Sequence, residues 1–487
     1  MRLKDILSGV SYRLISGDVN IEVSGLAYDS RMVKSGDLFF CIKGFNTDGH
    51  DFAQKAVETG AVGIIVEEIQ HDLTVTQILV DNTRVAMARA ASAYFDHPTS
   101  KLKLVGITGT NGKTTTSFMV DGVLRAAGYK TGLIGTIEYR IGDARIPVDL
   151  TTPESLNIQS LFADMVDNGV EAAIIEVSSH AIDLSRIEAC DFDALVFTNL
   201  SQDHLDYHGT IDEYFRVKRS IFEITSDRGL IHIINADDGY GRLLIKQGKK
   251  NQLRYSTKDK VEVYATDIEL RQDGSKLRLH APAGSINLIL RLPGLYNVYN
   301  ALAATSVAIA LGMDIDEIKI GLEGVGSVPG RFERIDCGQN FMVIVDYAHT
   351  PDSLEKVLRA ARQLTKGGLI TVFGCGGDRD RAKRPIMGKI GAELSDFAII
   401  TSDNPRSEEP LVIIEEIVAG AREVRSTNYC VEEDRKIAVK MAVGYAQPGD
   451  IIIIAGKGHE RGQEIAGEKI PFDDREVVRS LLEEMMA

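Results

Sequence analysis

The stretch Gly106-Ile107-Thr108-Gly109-Thr110-Asn111-Gly112-Lys113-Thr114-Thr115 decides the architecture of this chain. It follows an apolar run, Leu102 to Ile107, and precedes a helical pattern from Thr114 to Ala127, so it predicts a strand, a glycine-rich turn and a helix start. Such a turn directs backbone N–H groups and a helix N-terminus at one point, where nucleotide phosphates bind. We expect Lys113 to reach the outer phosphates and the Thr114 hydroxyl to ligate Mg²⁺.

This loop is a variant of the usual phosphate-binding pattern, because Ile107 stands where that pattern has its first glycine. Gly109 is expected to supply the turn instead. An ordinary glycine-rich turn between a strand and a helix is the alternative. The lysine and the threonines stand where phosphate chemistry needs them, and we therefore predict a nucleotide-binding domain.

Composition narrows the class of protein. With 487 residues the chain has room for about three domains of ordinary size. The formal net charge of -15 argues against nucleic acid or an anionic membrane as the main partner. No apolar run has the length of a signal peptide core or a membrane helix, so we expect a soluble cytoplasmic protein. Five scattered cysteines indicate neither a disulfide framework nor a zinc site.

Three segments follow one another along the chain. Residues 1–98 show a small alternation of strand and helix patterns. Residues 99–330 alternate strands and helices, which predicts a doubly wound, mostly parallel sheet, and Tyr264 to Leu292 predicts a β-rich extension. Residues 331–487 repeat this alternation of strands and helices, which predicts an independent, Rossmann-like α/β domain. The predicted fold class is thus α/β with three domains.

Polar groups follow the strand candidates of the second segment. Glu176 closes an apolar strand beside the phosphate loop, where a carboxylate can hold Mg²⁺; a solvated loop acid is the alternative. The loop after the next strand carries His204 among other polar residues, which favours a metal or phosphate site. Lys218 lies in a helical pattern, and a lone helical lysine is expected to face solvent.

Four strand candidates of the third segment also end in glycine or charged residues. The runs after these strands are Asp346–Pro351, Gly374–Arg381, Ser402–Arg406 and Ala455–Glu460. Loops at the carboxyl ends of parallel strands form a ligand crevice. Arginines there suit carboxylates and Glu460 suits an ammonium group, so we expect an amino acid as the ligand.

Together these motifs resemble the Mur ligases, which build the peptide stem of peptidoglycan. The resemblance extends along the whole chain and rests on Gly106–Thr115, Glu176–His180, Thr198–Leu200, Asp203–Asp206, Asn297–Ala301, Pro329–Glu333 and Asp346–His349. Gly374–Arg379, Asp403–Arg406 and Gly456–Glu460 most resemble the members that add meso-diaminopimelate to UDP-N-acetylmuramoyl-L-alanyl-D-glutamate. Lysine-adding relatives differ at the Asp-Asn-Pro-Arg position.

The resemblance implies a UDP-substrate-binding domain over 1–98, a central ATPase domain over 99–330 and a C-terminal amino-acid-binding ligase domain over 331–487. It implies that the UDP-linked substrate is bound by Ser30, Thr151, Thr152, Ser178 and Arg186. It implies that ATP is bound by Gly109, Thr110, Asn111, Gly112, Lys113, Thr114, Thr115, Asn297, Arg331 and Asp346. It implies that diaminopimelate is bound by Arg379, Asp403, Asn404, Pro405, Arg406, Gly456 and Glu460.

The resemblance also implies a metal site and a modified lysine. Mg²⁺ is expected on Thr114, Glu176, His204 and Lys218, and the catalytic residues are expected to be Lys113, Glu176, His204 and Lys218. Lys218 matches the lysine that the family carbamylates, which reverses the solvent-facing expectation. Leu150 and Leu184 depart from residues that some relatives carry near the dipeptide.

The implied reaction is an amide ligation driven by ATP. ATP phosphorylates the D-glutamyl γ-carboxylate, and the amine of diaminopimelate attacks the acyl phosphate, with release of ADP and phosphate. This would place the chain in cell wall biogenesis, and hence in cell shape, cell division and the cell cycle, as a monomer in the cytoplasm. The alternatives are ligation of L-lysine, a folylpolyglutamate synthetase-like ligase without a UDP-binding first domain, and a binding protein that uses ATP as a switch.

Overall fold

The computed structural model describes residues 1–45, 47–148, 150–223, 229–248, 251–424 and 428–486. The helices are α1 Leu3–Ile6, α2 Ala53–Thr59, α3 Thr83–Tyr94, α4 Lys113–Ala126, α5 Ser155–Asp167, α6 Ser179–Asp183, α7 Leu205–His208, α8 Ile211–Ser220, α9 Gly239–Lys246, α10 Leu295–Ala310, α11 Ile315–Gly324, α12 Pro351–Leu364, α13 Lys383–Leu394, α14 Pro410–Ala421, α15 Arg435–Tyr445 and α16 Asp474–Met486. Within the described residues, no helix is long and apolar enough to cross a membrane.

The strands of the first half are β1 Arg13–Ser16, β2 Gly25–Ala27, β3 Asp37–Phe40, β4 Gly63–Val66, β5 Thr76–Leu79, β6 Lys103–Thr108, β7 Thr131–Ile134, β8 Tyr139–Ile141, β9 Ala144–Ile146, β10 Ala172–Glu176, β11 Ala194–Phe197 and β12 Ile231–Asn235. Those of the second half are β13 Gln252–Ser256, β14 Val263–Arg271, β15 Gly274–Ala281, β16 Gly284–Leu290, β17 Glu333–Ile335, β18 Met342–Asp346, β19 Leu369–Phe373, β20 Phe397–Ile400, β21 Tyr429–Val431, β22 Ile451–Ala455, β23 Gly462–Ile465 and β24 Glu468–Pro471.

The chain forms two compact units. The first comprises Met1–Gly109, Ala127–Val196 and Val217–His232, and the second comprises Thr110–Ala126, Phe197–Arg216 and Ile233–Ala487. These units do not test the predicted domain boundaries, so 1–98, 99–330 and 331–487 stay a prediction.

The first unit holds two sets of mostly parallel strands. One is a five-stranded sheet with the order β1-β5-β4-β3-β2, in which β1 alone runs antiparallel to its neighbour. In the other, β10 lies between β6 and β7 and is parallel to both, with Glu176 paired opposite Ile107. Every residue of β10 is buried, as expected of a strand covered on both faces. This register places Glu176 at the carboxyl end of β6.

The second unit contains the β-rich extension that the alternating apolar residues predict. Strands β14, β15 and β16 form an antiparallel meander, with inward residues such as Leu277, Leu279 and Leu288 buried and their neighbours more exposed. The helix predicted from Asn297 begins at Leu295 and is followed by Gly312 with φ +80°, the usual residue beyond a helix end.

A six-stranded sheet in the second unit carries the third segment. Its order is β17-β18-β22-β19-β20-β21, and all neighbours are parallel except β17 and β18. Residues Ile451, Ile453 and Ala455 pack into one core and Ile452 and Ile454 into another, so helices cover both faces of the sheet. The carboxyl ends of β18, β22, β19 and β20 therefore lie along one edge, which confirms the sequence expectation for this sheet.

One strand ends earlier than its apolar pattern suggests. The pattern predicts a strand through Leu200, whereas β11 ends at Phe197. The next two side chains turn to the phosphate loop, because Thr198 Oγ1 and Asn199 Nδ2 both donate to the carbonyl oxygen of Asn111, at 2.7 and 3.0 Å. Tertiary hydrogen bonds thus end the strand.

Candidate active site

The phosphate loop has the local structure that its sequence predicts. Strand β6 ends at Thr108 and α4 begins at Lys113. Gly112 has φ +87°, and a Cβ atom there would lie 2.5 Å from Asn300 Oδ1, so only glycine fits. The Lys113 ammonium donates to the carbonyl oxygen of Thr110 at 2.9 Å. In this arrangement the positive charge of Lys113 lies against its own loop.

The start of the loop is fixed by the residues that follow β11. The backbone N–H of Thr110 donates to the Asn199 carbonyl at 2.9 Å, and that of Asn111 donates to Asn199 Oδ1 at 3.0 Å. The Asn111 side chain donates to Asp352 Oδ2 at 2.6 Å, and Asp352 begins the helix that follows β18. The loop is therefore held from two directions by hydrogen bonds.

Two of the predicted ATP-binding residues, Thr114 and Asp346, lie near a third, Arg331. Its guanidinium donates to Thr114 Oγ1 at 3.1 Å and stacks over the Tyr347 ring at 4.5 Å. Asp346 Oδ2 accepts the Phe332 N–H at 2.6 Å. Burial raises the pKa of Asp346, although the Arg331 charge opposes that shift. Arg331 is thus fixed next to the first turn of α4, and Asp346 holds the backbone of the residue that follows Arg331.

Asn297 lies near the start of α10 and is buried. Its amide donates to the Pro293 carbonyl at 2.8 Å, and its Oδ1 accepts from Asn300 Nδ2 at 3.1 Å. Asn300 Oδ1 in turn is within 3.3 Å of Thr116 Oγ1 on α4. Asn297 is therefore joined to the phosphate-loop helix through Asn300, a residue that was not among the predicted ATP-binding residues.

His204 lies in a strained loop beside an acid that the sequence left without a role. His204 has φ +54° in the left-handed region, and its Nε2 lies 3.5 Å from Asp203 Oδ2. Burial opposes ionisation of Asp203, but the imidazoles of His204 and His349 and the Lys383 ammonium outweigh it and lower the pKa of this carboxyl. The position of Asp203 in the loop that carries His204 is the sequence signal that could have identified it.

Glu176 is fully buried, so it is not the solvated loop acid that the sequence left open. Its two carboxylate oxygens accept the N–H and the hydroxyl of Thr136, each at 3.0 Å. Gly135 lies close beside it, and a Cβ atom there would lie 2.5 Å from Glu176 Oε1, so a side chain at this position would displace the carboxylate. The carboxylate is thus held in one orientation.

The expectation that Lys218 faces solvent is wrong. Its side chain is 1% exposed, and its Nζ donates to Thr108 Oγ1 at 3.3 Å and to the Gly109 carbonyl at 3.2 Å. Tyr214 and Val217 are also buried, and this spacing of three and four positions puts Lys218 on the apolar stripe of α8. A lysine on a buried stripe is the signal that could have corrected the expectation.

The candidate Mg²⁺ residues offer a chemistry that suits the ion. Thr114 and Glu176 supply oxygen, and a carbamate on Lys218 would supply more; Mg²⁺ prefers oxygen ligands. His204 adds an imidazole. Among the described residues, His, Cys, Asp and Glu alone form no cluster of three or more that could hold a metal. The fit therefore depends on the hydroxyl and on modification of the lysine.

Four residues predicted to contact the UDP-linked substrate form one cluster in the first unit. Thr152 Oγ1 donates to the Glu176 carbonyl at 2.7 Å and accepts the Ser178 N–H at 3.1 Å. Arg186 donates to the Thr152 carbonyl at 2.8 Å and pairs with Glu154 at 2.8 Å. The Thr151 hydroxyl lies 3.2 Å from that of Thr136. Glu154 was missed, and its place beside the threonine pair is the signal that could have found it.

Ser30, the fifth residue of this group, lies apart from the other four in sequence, and Leu150 and Leu184 are the two positions noted as departures. Ser30 is buried next to Arg31, whose guanidinium pairs with Asp29 at 2.6 Å. Leu150 is exposed, and its carbonyl accepts the Tyr139 hydroxyl. Leu184 ends the short helix α6. A leucine side chain has no hydrogen-bonding group, so neither residue can offer a polar side-chain contact to the dipeptide.

The strand ends of the six-stranded sheet form a compact polar site. Asn404 Nδ2 donates to Glu460 Oε2 at 2.8 Å, and Lys457 Nζ donates to Asn404 Oδ1 at 2.8 Å and contacts Glu460 Oε2 at 3.0 Å. Lys457 has a fully buried side chain and was missed, although it stands between two glycines at a strand end. It fixes the direction in which the Asn404 amide points.

Asp403 is a buried acid in the same site. Its Oδ2 accepts no hydrogen bond from the described residues, and the Arg435 guanidinium lies 4.0 Å away. Burial opposes its ionisation, but Lys457 and Arg435 lower the pKa of this carboxyl. Gly456 has φ +118°, and a Cβ atom there would lie 2.3 Å from Asp403 Oδ2. The glycine leaves one side of the carboxylate open.

Arg406 extends this site towards Gly376 and Gly377. Its guanidinium donates to the Gly377 carbonyl at 2.7 Å, and Cβ atoms at either glycine would lie within 2.9 Å of Arg406 or Pro405 atoms. Glu408, two positions after Arg406, pairs with the buried Arg384. Arg379 is exposed on the neighbouring loop. The structure thus brings Arg406 and Asn404 together and leaves the Arg379 side chain in solvent.

The fold and the site define a nucleotide-dependent α/β enzyme, and comparison with known proteins places it in a family. The family models that match are "Mur ligase family, catalytic domain" over residues 22–98, "Mur ligase middle domain" over 107–308 and "Mur ligase, glutamate ligase domain" over 330–458. The chain belongs to the Mur ligase family, whose members are ATP-dependent amide ligases.

Individual relatives agree with this assignment. The chain is 46% identical to UDP-N-acetylmuramoyl-L-alanyl-D-glutamate--2,6-diaminopimelate ligase 1 of Clostridium acetobutylicum and 45% identical to the ligase of that name from Clostridium tetani, with 100% of each chain covered in both cases. A solved structure of a UDP-N-acetylmuramoyl-L-alanyl-D-glutamate--2,6-diaminopimelate ligase has a TM-score of 0.70 at 30% identity, covering 100% of this chain and 99% of that one.

Proposed function

We propose that this chain joins meso-diaminopimelate to the D-glutamyl γ-carboxylate of UDP-N-acetylmuramoyl-L-alanyl-D-glutamate, in peptidoglycan synthesis. The observation that carries the proposal is the polar site at the strand ends, where a buried carboxylate, an oriented amide and a guanidinium lie together. Diaminopimelate carries ammonium and carboxylate groups at both ends, and this set of side chains complements both. The full-length relatives that carry this activity in their names support it.

The protein's task in this reaction is to activate a carboxylate. A free carboxylate is a poor acylating agent, so ATP first phosphorylates it and the amine then displaces phosphate. Two anions must approach each other for the first step. Lys113 and Arg331, both next to the first turn of α4, would screen their charge. The lysine must turn away from the Thr110 carbonyl to do so.

We further propose that Mg²⁺ takes part, held by Thr114, Glu176, His204 and a carbamylated Lys218. When bound, the ion supplies additional screening of the phosphate oxygens. The buried position of Lys218 supports a role inside the protein rather than at its surface. The chain would act as a cytoplasmic monomer on soluble substrates.

The residues predicted to meet the UDP-linked substrate favour this reaction over its main rival. A folylpolyglutamate synthetase-like ligase needs no UDP-binding first domain, whereas residues 22–98 of this chain match a Mur ligase model. In the first unit, Arg186 lies in a cluster with Thr152 and Ser178, as a site for an anionic dipeptide requires. Ligation of L-lysine remains the alternative that an assay must exclude.

Steady-state phosphate release tests the proposal. The purified protein is assayed with ATP, Mg²⁺ and the UDP-linked dipeptide against diaminopimelate, L-lysine and ornithine. We expect diaminopimelate to be used far more efficiently, since only it has a far carboxylate for Arg406. Arg406→Ala should reduce the preference, while Arg381→Ala, which removes an exposed arginine paired with Glu416, serves as the matched control. Equal use of lysine, or an unchanged preference in Arg406→Ala, would overturn the assignment.

A further inference from the structure

The Arg406 guanidinium already has a carboxylate partner in the protein itself. Its Nε lies 3.2 Å from Glu464 Oε2, and the two side chains are 23% and 47% exposed. Glu464 belongs to β23, in the small hairpin that follows the Gly456–Glu460 loop. A carboxylate of the chain therefore occupies a position that a ligand carboxylate needs.

The backbone holds Glu464 next to this arginine. The Arg406 N–H donates to the Glu464 carbonyl at 3.0 Å, and the Ala466 N–H donates to the Arg406 carbonyl at 2.7 Å. The Glu464 N–H donates to Asn404 Oδ1 at 3.0 Å. Arg406 has φ +52°, a conformation that a residue with a side chain adopts only when its surroundings impose it. The contact between β23 and the Asn404–Arg406 loop is therefore part of the fold.

We propose that Glu464 is a specificity-determining residue that competes with the far carboxylate of the amino acid for Arg406. The proposal rests on the proposed function, in which Arg406 binds that carboxylate. Glu464 pairs with Arg406 while the site is empty and must release it when diaminopimelate binds. Both carboxylates accept from the same guanidinium, and the Arg406 Nε that faces Glu464 Oε2 cannot serve the substrate carboxylate while that ion pair persists.

This competition has two consequences for selectivity. It weakens the binding of diaminopimelate, because an existing ion pair must break and two like charges must approach. It also makes the site more tolerant of lysine. Sites reject an analogue strongly when a buried polar group is left unpaired, and Glu464 keeps Arg406 paired when no far carboxylate is present. Glu464 thus reduces the discrimination that Arg406 alone would provide.

Kinetics of Glu464→Gln and Glu464→Ala test the proposal. KM and kcat are measured for diaminopimelate and for L-lysine, with ATP and the UDP-linked dipeptide saturating. Exposed ion pairs are worth a factor of about five or less, so we expect KM for diaminopimelate to fall by about two- to fivefold, with kcat changing by less than about twofold. The preference for diaminopimelate over lysine should rise by a similar factor, at least as much in the alanine variant as in the glutamine variant.

The control is Glu468→Gln, which removes an exposed carboxylate from β24 of the same hairpin, where Glu468 pairs opposite Ile465. It should leave both KM values unchanged. Failure of the wild type to use diaminopimelate would refute the proposed function, and this inference with it. If the wild type uses diaminopimelate but both Glu464 variants leave its KM unchanged or raise it, Glu464 supports the site rather than competes in it, and only this inference is wrong.

Discussion

Arg435 offers a test of how the amino-acid site is held together. Its guanidinium makes a bidentate pair with Asp474, at 2.9 and 2.8 Å, and both side chains are fully buried. The same guanidinium donates to the carbonyl of Ala455, the last residue of β22, at 2.9 Å, and to that of Ser402, just after β20, at 3.4 Å. One side chain therefore clamps the two strand ends from which the Asn404 and Glu460 loops emerge.

We predict that Arg435→Met destabilises the six-stranded sheet by about 3–5 kcal/mol, the usual cost of leaving one member of a buried ion pair without its partner. Burial opposes the charge of Arg435, but the Asp474 carboxylate more than compensates and raises the pKa of the guanidinium, so Arg435 keeps its charge inside the fold. Arg334→Met is the matched control, because Arg334 pairs with Asp336 at the surface with both side chains half exposed. Such a pair is worth about 1 kcal/mol at most.

Hydrogen exchange followed by mass spectrometry measures the effect locally, which matters because a chain of several domains has no single free energy of unfolding. Amides of β20 and β22 should open roughly 200- to 5,000-fold more often in Arg435→Met than in the wild type, the factor that corresponds to about 3–5 kcal/mol. The KM for diaminopimelate should rise as well. Combining Arg435→Met with Asp474→Leu should restore part of the protection, since no buried charge is then left alone. If Arg435→Met loses no more protection than Arg334→Met, then Arg435 does not hold the ends of β20 and β22 together as we predict.

Three further predictions address other parts of the account. Lys113→Ala should abolish phosphate release at an unchanged melting temperature, because the side chain acts on phosphate charge; ligation by the folded variant would contradict this. Lys218→Ala should be inactive and should lack the carbamate signal that ¹³C-bicarbonate gives in the wild type; full activity would show that the family resemblance misleads here. Hydrogen bonds from Arg384 lower the pKa of Glu408 from 4.5 to about 2, so Glu408 stabilises the fold above about pH 4.5 and loses this contribution as the pH falls toward 2. The difference in melting temperature between wild type and Glu408→Gln should therefore shrink below pH 4.5, and a constant difference would refute it.

Sequence reasoning was strongest where local chemistry and topology determine the outcome. A glycine-rich turn between a strand and a helix can adopt few conformations, and the phosphate loop formed as predicted. Parallel strands bring their carboxyl ends to one edge, so the loops after β18, β19, β20 and β22 could be grouped from the chain alone. Alternating apolar residues from Tyr264 to Leu292 predicted a β-rich extension, because successive side chains of a strand point to opposite faces of the sheet.

The missed residues depend on partners that are distant in sequence. The ammonium of the buried Lys457 donates a hydrogen bond to Asn404, which is 53 positions away in the sequence. From the sequence alone, Glu464 is expected to be an ordinary surface glutamate. Only the contact between β23 and the Asn404–Arg406 loop brings its carboxylate next to Arg406. A lone helical lysine predicts a solvent-facing side chain, whereas the place of Lys218 on the apolar stripe of α8 buries it, as the family resemblance led us to expect. Pairings of this kind are set by tertiary packing, which no local pattern encodes.

A competition experiment tests the central claim most directly. The protein is incubated with ATP, Mg²⁺, the UDP-linked dipeptide and equal concentrations of meso-diaminopimelate and L-lysine, and the products are identified by mass spectrometry while ADP is counted. We predict a single product, heavier by one diaminopimelate residue, with one ADP formed for each amide bond. A lysine adduct in equal or greater amount, or ADP formed without any adduct, would contradict the account.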